Sequence, residues 1–371
     1  MTRVVRLANF YGPESGGLRT TLNNLGRGYV EAGIEPFLIV PGAADSWATL
    51  DAAVRVTVPS RRLPASGGYR VISSRRHLAD VLRRIAPDRV EVSDKLTLGW
   101  VGGWAAERGI PAVLFSHERI DAILSARVPA WVPLPRLADR WNERLVGPFT
   151  RVVCASDFAA EEYRRIGVEN VAVVPLGVDL EVFRPAPPGP DRTTVELMCT
   201  GRLSKEKRPE LAVEVLRELR LHGLDARLTF AGSGPMRDEL AAMARNLPVR
   251  FLGHVHDPHV LAATVAAADV ALAPCPVETF GLSVLEALAA GTPVVTSDRG
   301  AAHELIDWSC GRSAPPDPVA LARAVCDVLD RPERQRRQAA RRRAERYPWS
   351  ATVSGMLAAH GLCRSAARVS R

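Results

Sequence analysis

The chain has 371 residues, 47% hydrophobic and 24% charged, with a formal net charge of +8. That length suits about two domains, and the composition excludes disordered, collagen-like and coiled-coil proteins. The most apolar run, Ala262 to Val277, is 16 residues long and contains Asp269, short of the roughly 18 apolar residues that a spanning helix needs. In chain order, strands are expected at Val4–Asn9, Pro36–Val40, Val54–Pro59, Arg89–Ser93, Ala112–Ser116 and Arg151–Ala155. Helical periodicity fills Leu18–Ala32 and Arg75–Ile85 between them. The pattern restarts with Val195–Thr200, Arg227–Ala231, Arg250–Leu252, Val270–Ala273 and Val294–Thr296. Between the halves, Arg184-Pro-Ala-Pro-Pro-Gly-Pro-Asp191 can continue neither helix nor sheet. The expected fold is α/β: two doubly wound Rossmann-like domains, residues 1–183 and 192–348, joined by a linker at 184–191 and facing a central cleft. Ligands of such sheets bind at the carboxyl ends of the strands.

Residues Arg3 to Phe10 read as a strand with no signal-peptide layout, so the expected compartment is the cytoplasm. Cys154, Cys199, Cys275, Cys310, Cys326 and Cys363 lie far apart and form no CxxC pair. They read as small core residues, not as a disulfide framework or zinc site.

Charge is unevenly distributed. Of 46 arginines, seven fall in Arg61–Arg84 beside the single acid Asp80, and eight in Arg331–Arg346 beside two glutamates. Such windows suggest an anionic partner: nucleic acid, a lipid surface or a phosphorylated small molecule. Compositional bias explains why each cation is arginine, but not the clustering.

Four segments carry candidate chemistry. Gly201-Arg-Leu-Ser-Lys-Glu-Lys207 follows a strand and holds two of the three lysines in the chain. Arg202 and Lys207 there suit a phosphate, although a charged surface turn has the same composition. Glu278-Thr-Phe-Gly-Leu-Ser-Val-Leu-Glu286 runs from a strand end into a helix starting near Gly281, and a helix start suits a phosphate. Glu278 and Glu286 suit sugar hydroxyls, or equally a carboxylate near a helix dipole and an exposed helix residue. Ser15-Gly-Gly-Leu18 would admit close backbone approach or make a tight turn. Neither it nor Gly232-Ser-Gly234 completes GxGxxG, which counts against a dinucleotide fold. His117, at the carboxyl end of Ala112–Ser116, would face the cleft or be satisfied locally. His254, His256 and His259 fit no common zinc spacing, so no metal and no cofactor are expected.

Together, Gly16-Gly17, Gly201-Arg202…Lys207 and Glu278…Glu286 resemble the retaining GT-B glycosyltransferases of family 4, over nearly the whole chain. The resemblance implies that residues 1–183 bind the acceptor and 192–348 a nucleotide sugar, with the terminal helix, 349–371, returning to the first domain. It implies that Gly16 and Gly17 approach the donor and that Arg202 and Lys207 bind its diphosphate. Glu278 would contact the donor sugar and Glu286 the ribose. Phe280, Gly281 and Leu282 would line sugar and phosphates through their backbone, and Val255 would hold the nucleobase. His117 matches the acceptor-side histidine. One departure is Ala301, where many members carry a second glycine. Within the family, Asn9-Phe-Tyr-Gly-Pro13 and Val92-Ser-Asp-Lys-Leu96 resemble actinobacterial mannosyltransferases that build phosphatidylinositol mannosides. That narrower resemblance is the ground for GDP-mannose and for a lipid-linked acceptor at the inner face of the plasma membrane.

A lipid acceptor in an anionic membrane would account for the basic windows. On Arg75–Ile85, Arg75, Arg76, Arg83 and Arg84 share one face and Leu78, Val81, Leu82 and Ile85 the other, as in helices that lie on anionic surfaces and equally in helices that bury the apolar face against a sheet; both can hold at once. The expected function is therefore metal-independent hexosyl transfer from a nucleotide sugar. A UDP-sugar enzyme with a soluble acceptor is the near alternative, and a nucleotide-sugar-binding regulator another. A nucleic-acid-binding protein would interleave aromatics with its basic residues; only Tyr69 does so here, so no nucleic-acid partner is expected.

Overall fold

A computed structural model describes residues 1–12, 16–50, 53–62, 69–119, 121, 133–186 and 193–362. Pro13, Ser15, most of the proline-rich segment (187–191), residues 363–371 and Cys363 therefore lie outside the described residues. The chain forms two compact units. Among the described residues, the first comprises those up to Asp121, 133–175 and 349–362, and the second those within Leu176–Pro348.

The first unit carries β1 (Arg3–Leu7), β2 (Glu35–Gly42), β3 (Ser46–Leu50), β4 (Ala53–Pro59), a small hairpin β5 (Arg61–Arg62) and β6 (Arg70–Val71), then β7 (Arg89–Val92), β8 (Ala112–Ser116), β9 (Arg151–Cys154) and β10 (Val171–Val173). Its main sheet runs β10-β9-β8-β7-β1-β2-β4-β3, parallel except where β3 meets β4. Parallel strands covered on both faces need continuous apolar runs, and Val4, Val5, Val90, Val92 and the whole of Ala112–Ser116 are buried. Ser74 starts the helix Arg75–Ile85, its hydroxyl accepting from the His77 amide at 3.3 Å. Leu78, Val81, Leu82 and Ile85 pack into the core, while Arg75, Arg76, Arg83 and Arg84 are exposed. The helix Trp349–Ala359 packs within this unit: the Thr352 hydroxyl donates to the Pro175 carbonyl at 2.9 Å. Beyond its end, His360 lies against the buried Glu91 at 3.3 Å.

The second unit holds β11 (Val195–Thr200), β12 (Ala226–Ala231), β13 (Val249–Phe251), β14 (Val270–Ala273), β15 (Val294–Ser297) and β16 (Gly311–Ala314), in the order β13-β12-β11-β14-β15-β16. All its neighbours are parallel. Two expectations shift here. Cys326 is exposed, whereas Cys154, Cys199, Cys275 and Cys310 are buried. The second arginine window is also not a uniform anion-facing surface. On and beside the helix Glu333–Ala344, Arg331, Arg336, Arg337, Arg341 and Arg343 all donate to backbone carbonyls.

Candidate active site

In each sheet the winding direction reverses once, and loops leaving strands on either side of that point diverge and open a crevice. In the second unit the reversal lies between β11 and β14. It brings together Gly201–Lys207 and Pro274–Glu278, which are distant in the chain. The first loop ends in a tight turn, Lys205–Lys207, which aims Lys207 Nζ at Glu278 Oε2, 2.7 Å away. Burial opposes the ammonium charge, but Glu278, then Cys275 and Glu206, outweigh it and raise the Lys207 pKa. Burial pushes Cys275 up to about 11 and Cys199 up to about 12, so both thiols stay protonated. A pocket here is lined by Gly201, Arg202, Lys207, Cys275, Glu278 and Ser283 among others. Arg202 is exposed at its rim.

The helix Leu282–Ala289 starts from Gly281 and presents its first backbone N–H groups beside that pocket. Glu286 is half-buried in this helix, and burial alone pushes its carboxyl up to about 7. It is not among the residues lining the pocket.

Backbone packing fixes both loops, through glycines whose role the sequence pattern did not reveal. A Cβ on Gly232 would stand 1.8 Å from the Gly201 carbonyl oxygen, and one on Gly234 2.3 Å from that of Leu203. Gly232-Ser-Gly234 thus serves close approach to the lysine loop, with Leu203 donating to the Ser233 carbonyl at 2.9 Å. Gly300 does the same for the glutamate loop: at φ +78° its Cβ would meet the Glu278 amide nitrogen at 2.9 Å. Ala301, the departure from the family pattern, has φ −90° and ψ −14° and tolerates its methyl group. Its N–H donates to the Glu278 carbonyl at 2.6 Å. Val255 is half-buried in the loop after β13, which the Gly232 amide ties to the Gly253 carbonyl at 2.8 Å. The His254 and His256 rings meet edge-on at 4.5 Å. No group of three potential metal ligands occurs among the described residues.

In the first unit the winding reverses between β1 and β7. Asn9, after β1, donates to the Thr97 hydroxyl at 2.5 Å. In the loop after β7, Asp94 accepts from the amides of Leu96, Thr97 and Leu98 at 3.0, 2.6 and 3.1 Å. Lys95 turns inward to ion-pair with the fully buried Glu162. Burial opposes that charge, but Tyr163 and Glu162 outweigh it and raise the Lys95 pKa. Ser93 of this loop meets His117 Nε2 at 3.2 Å. Burial, with the Lys95 charge adding and Glu91 opposing, pushes the His117 imidazole down to about 4, so it is neutral at physiological pH. Arg119 forms a bidentate pair with Asp121 at 3.0 and 2.9 Å. Gly16 and Gly17 are exposed in the first turn of the helix Gly16–Glu31. Sequence reasoning singled out Ser93 and Lys95 only within the Val92–Leu96 segment and gave them no role, and it missed Glu162 and Arg119. The one available signal was Lys95, a lysine in a chain that otherwise uses arginine.

Paired doubly wound units, the second holding a cationic pocket beside a helix start, are those of a GT-B glycosyltransferase. Residues 15–182 match the model described as Glycosyltransferase Family 4, and residues 194–331 the one described as Glycosyl transferases group 1. A GDP-mannose-dependent alpha-(1-6)-phosphatidylinositol dimannoside mannosyltransferase of Mycobacterium tuberculosis is 44% identical, over 97% of this chain and 96% of its own. A D-inositol 3-phosphate glycosyltransferase of Actinosynnema mirum is 31% identical over 73% and 71%. In fold, sucrose-phosphate synthase from Thermosynechococcus elongatus matches with a TM-score of 0.77 over 96% and 97% of the two chains, at 20% identity. The chain belongs to glycosyltransferase family 4.

Proposed function

We propose that this glycosyltransferase moves mannose from GDP-mannose to a hydroxyl of a phosphatidylinositol mannoside, with retention of configuration and without a metal. It would work at the inner face of the plasma membrane, without a nucleic-acid partner. The observation that carries the reading is the near-full-length match to a mannosyltransferase with that donor and a lipid acceptor.

The site chemistry supports it. Lys207 Nζ donates to Glu278 Oε2 at 2.7 Å. An arriving diphosphate takes over as counter-charge on the ammonium and leaves the Glu278 carboxylate to accept from sugar hydroxyls. Arg202 adds a planar fork, and the backbone of Phe280, Gly281 and Leu282 completes the anion site. Fixed donors of this kind stabilise charge that develops on a departing diphosphate. Glu286 receives the ribose, Val255 borders the nucleobase, and Gly16 and Gly17 are the donor contacts proposed for the first unit. A neutral His117 accepts a hydrogen bond from the acceptor hydroxyl, which a protonated imidazole, with donors on both ring nitrogens, could not do.

The test is a donor panel by calorimetry, followed by turnover with lipid-linked and soluble acceptors. GDP-mannose with the lipid acceptor is the expected pair; a UDP-sugar preference or turnover of the soluble acceptor alone would refute it. Lys207→Ala should lower kcat/KM by about two to three orders of magnitude. Glu278→Gln should cut turnover sharply while GDP affinity stays within a few fold.

A further inference from the structure

The helix Leu134–Val146 presents a face that neither the pocket nor the core accounts for. It buries Ala138 and Asn142, leaving Leu137 53% and Trp141 46% exposed one turn apart. Beside them Arg136, Arg140 and Arg144 form a row at four-residue spacing, all exposed. Most of the described arginines have a hydrogen-bond, ion-pair or aromatic partner. These three make no ion pair or side-chain hydrogen bond among the described residues. The nearby acid Asp139 does not neutralise the row, because it is paired with Arg165 at 3.0 Å. Glu143 lies at its margin.

We infer that this face is a membrane-contact surface, with Arg136, Arg140 and Arg144 against anionic headgroups and Leu137 and Trp141 seated at the interface. The inference rests on the lipid-acceptor reading above and adds a second contact to the basic face of Arg75–Ile85. Two observations favour a bilayer over a polyanion in water. A polyanion would satisfy the arginines and leave the indole and isobutyl groups in water, whereas an interface takes both. The face also neighbours the first basic helix within the same unit, since both helices touch the start of Trp100–Ala106. Arg75 lies over the Trp100 ring at 5.7 Å, and Leu145 fills the space where a Cβ on Gly99 would come within 2.4 Å of it.

The experiment uses the full chain and phosphatidylcholine vesicles with and without phosphatidylinositol. Replacing Arg136, Arg140 and Arg144 by Gln should lower the partition coefficient on the anionic vesicles by about a hundredfold. Donor binding by calorimetry should stay at the parent value. Trp141→Phe should remove most of the fluorescence quenching that brominated lipids produce. Parent-like partition of the triple variant, or quenching that survives Trp141→Phe, overturns the inference. Turnover of a detergent-solubilised lipid acceptor by a parent chain that ignores vesicles would sink the helix surface and leave the proposed function standing. Failure on that acceptor as well would refute both.

Discussion

The two arginine windows look alike in sequence and do opposite things. In Arg61–Arg84 the charges mostly stay outside. Arg75, Arg76, Arg83 and Arg84 are exposed, with Arg83 paired to Asp80 and Arg84 lying over the Trp47 ring at 4.8 Å. In Arg331–Arg346 five of the eight guanidinium groups turn to backbone carbonyls, while Arg334, Arg342 and Arg346 stay exposed. Arg337 donates to the carbonyls of Ala266 and Ala268 at 3.0 and 2.9 Å, beyond the end of one helix. Arg341 serves Phe183 and Ala289 at 2.8 and 3.1 Å, and Arg343 serves Leu305 at 2.8 Å. Helix ends leave carbonyls without intrahelical partners and concentrate negative potential, so a planar five-donor cation suits them. Arg341 thereby caps the far end of the helix Leu282–Ala289, whose start borders the proposed donor site. The same net charge serves architecture in one window and surface in the other.

The largest effect that would sharpen this contrast is on stability. Arg341→Ala strips several carbonyls of their partner and should cost about 3 kcal/mol in chemical unfolding. Arg76→Ala in the exposed window should stay within about 0.5 kcal/mol. Equal costs for the two variants would abolish the distinction. The next effect runs the other way. Reversing Arg75, Arg76, Arg83 and Arg84 to Glu should end co-sedimentation with anionic vesicles, at on the order of 1 kcal/mol per residue, while donor binding persists. Unchanged sedimentation at low salt would leave that helix as ordinary domain surface.

Titration gives the site a signature of its own. The Glu286 carboxyl, pushed up to about 7, keeps its proton in the folded chain where the unfolded chain has released it. Its contribution to stability is therefore complete below the ordinary carboxylate range and is lost as pH rises through about 7. Glu286→Gln should flatten that part of the stability profile. A wild-type slope in the variant would assign it to another group. The smallest expected effect is that of salt on the inward window. Raising ionic strength should release the chain from vesicles but barely move its melting temperature, since hydrogen bonds to buried carbonyls are little screened.

Much of the fold was legible in the sequence. Ala112–Ser116, Val195–Thr200 and Val270–Ala273 were delimited to the residue, because buried parallel strands must be continuous apolar runs. Gly311–Ala314 escaped because Gly-Arg-Ser-Ala has no strand signature and is held by its neighbour Val294–Ser297. Val171–Val173 escaped as a short edge strand. At the site, Lys207 and Glu278 stood out by residue type and by position at strand ends. Gly232, Gly234 and Gly300 did not, because their requirement comes from a backbone that packs against them from another loop.

The order of residues alone determined the alternation of strand and helix, and placed cations and carboxylates at the ends of strands. Those features are local: periodicity and strand ends are read within a few residues. Only the tertiary structure decided what each charged side chain faces. Arg341 reaches the Leu180 carbonyl across 161 positions, and His360 meets Glu91 across 269. Whether an arginine meets a carbonyl, a carboxylate or water depends on the polar groups that packing carries to it. A buried carbonyl requires a partner, whereas an exposed arginine has water already.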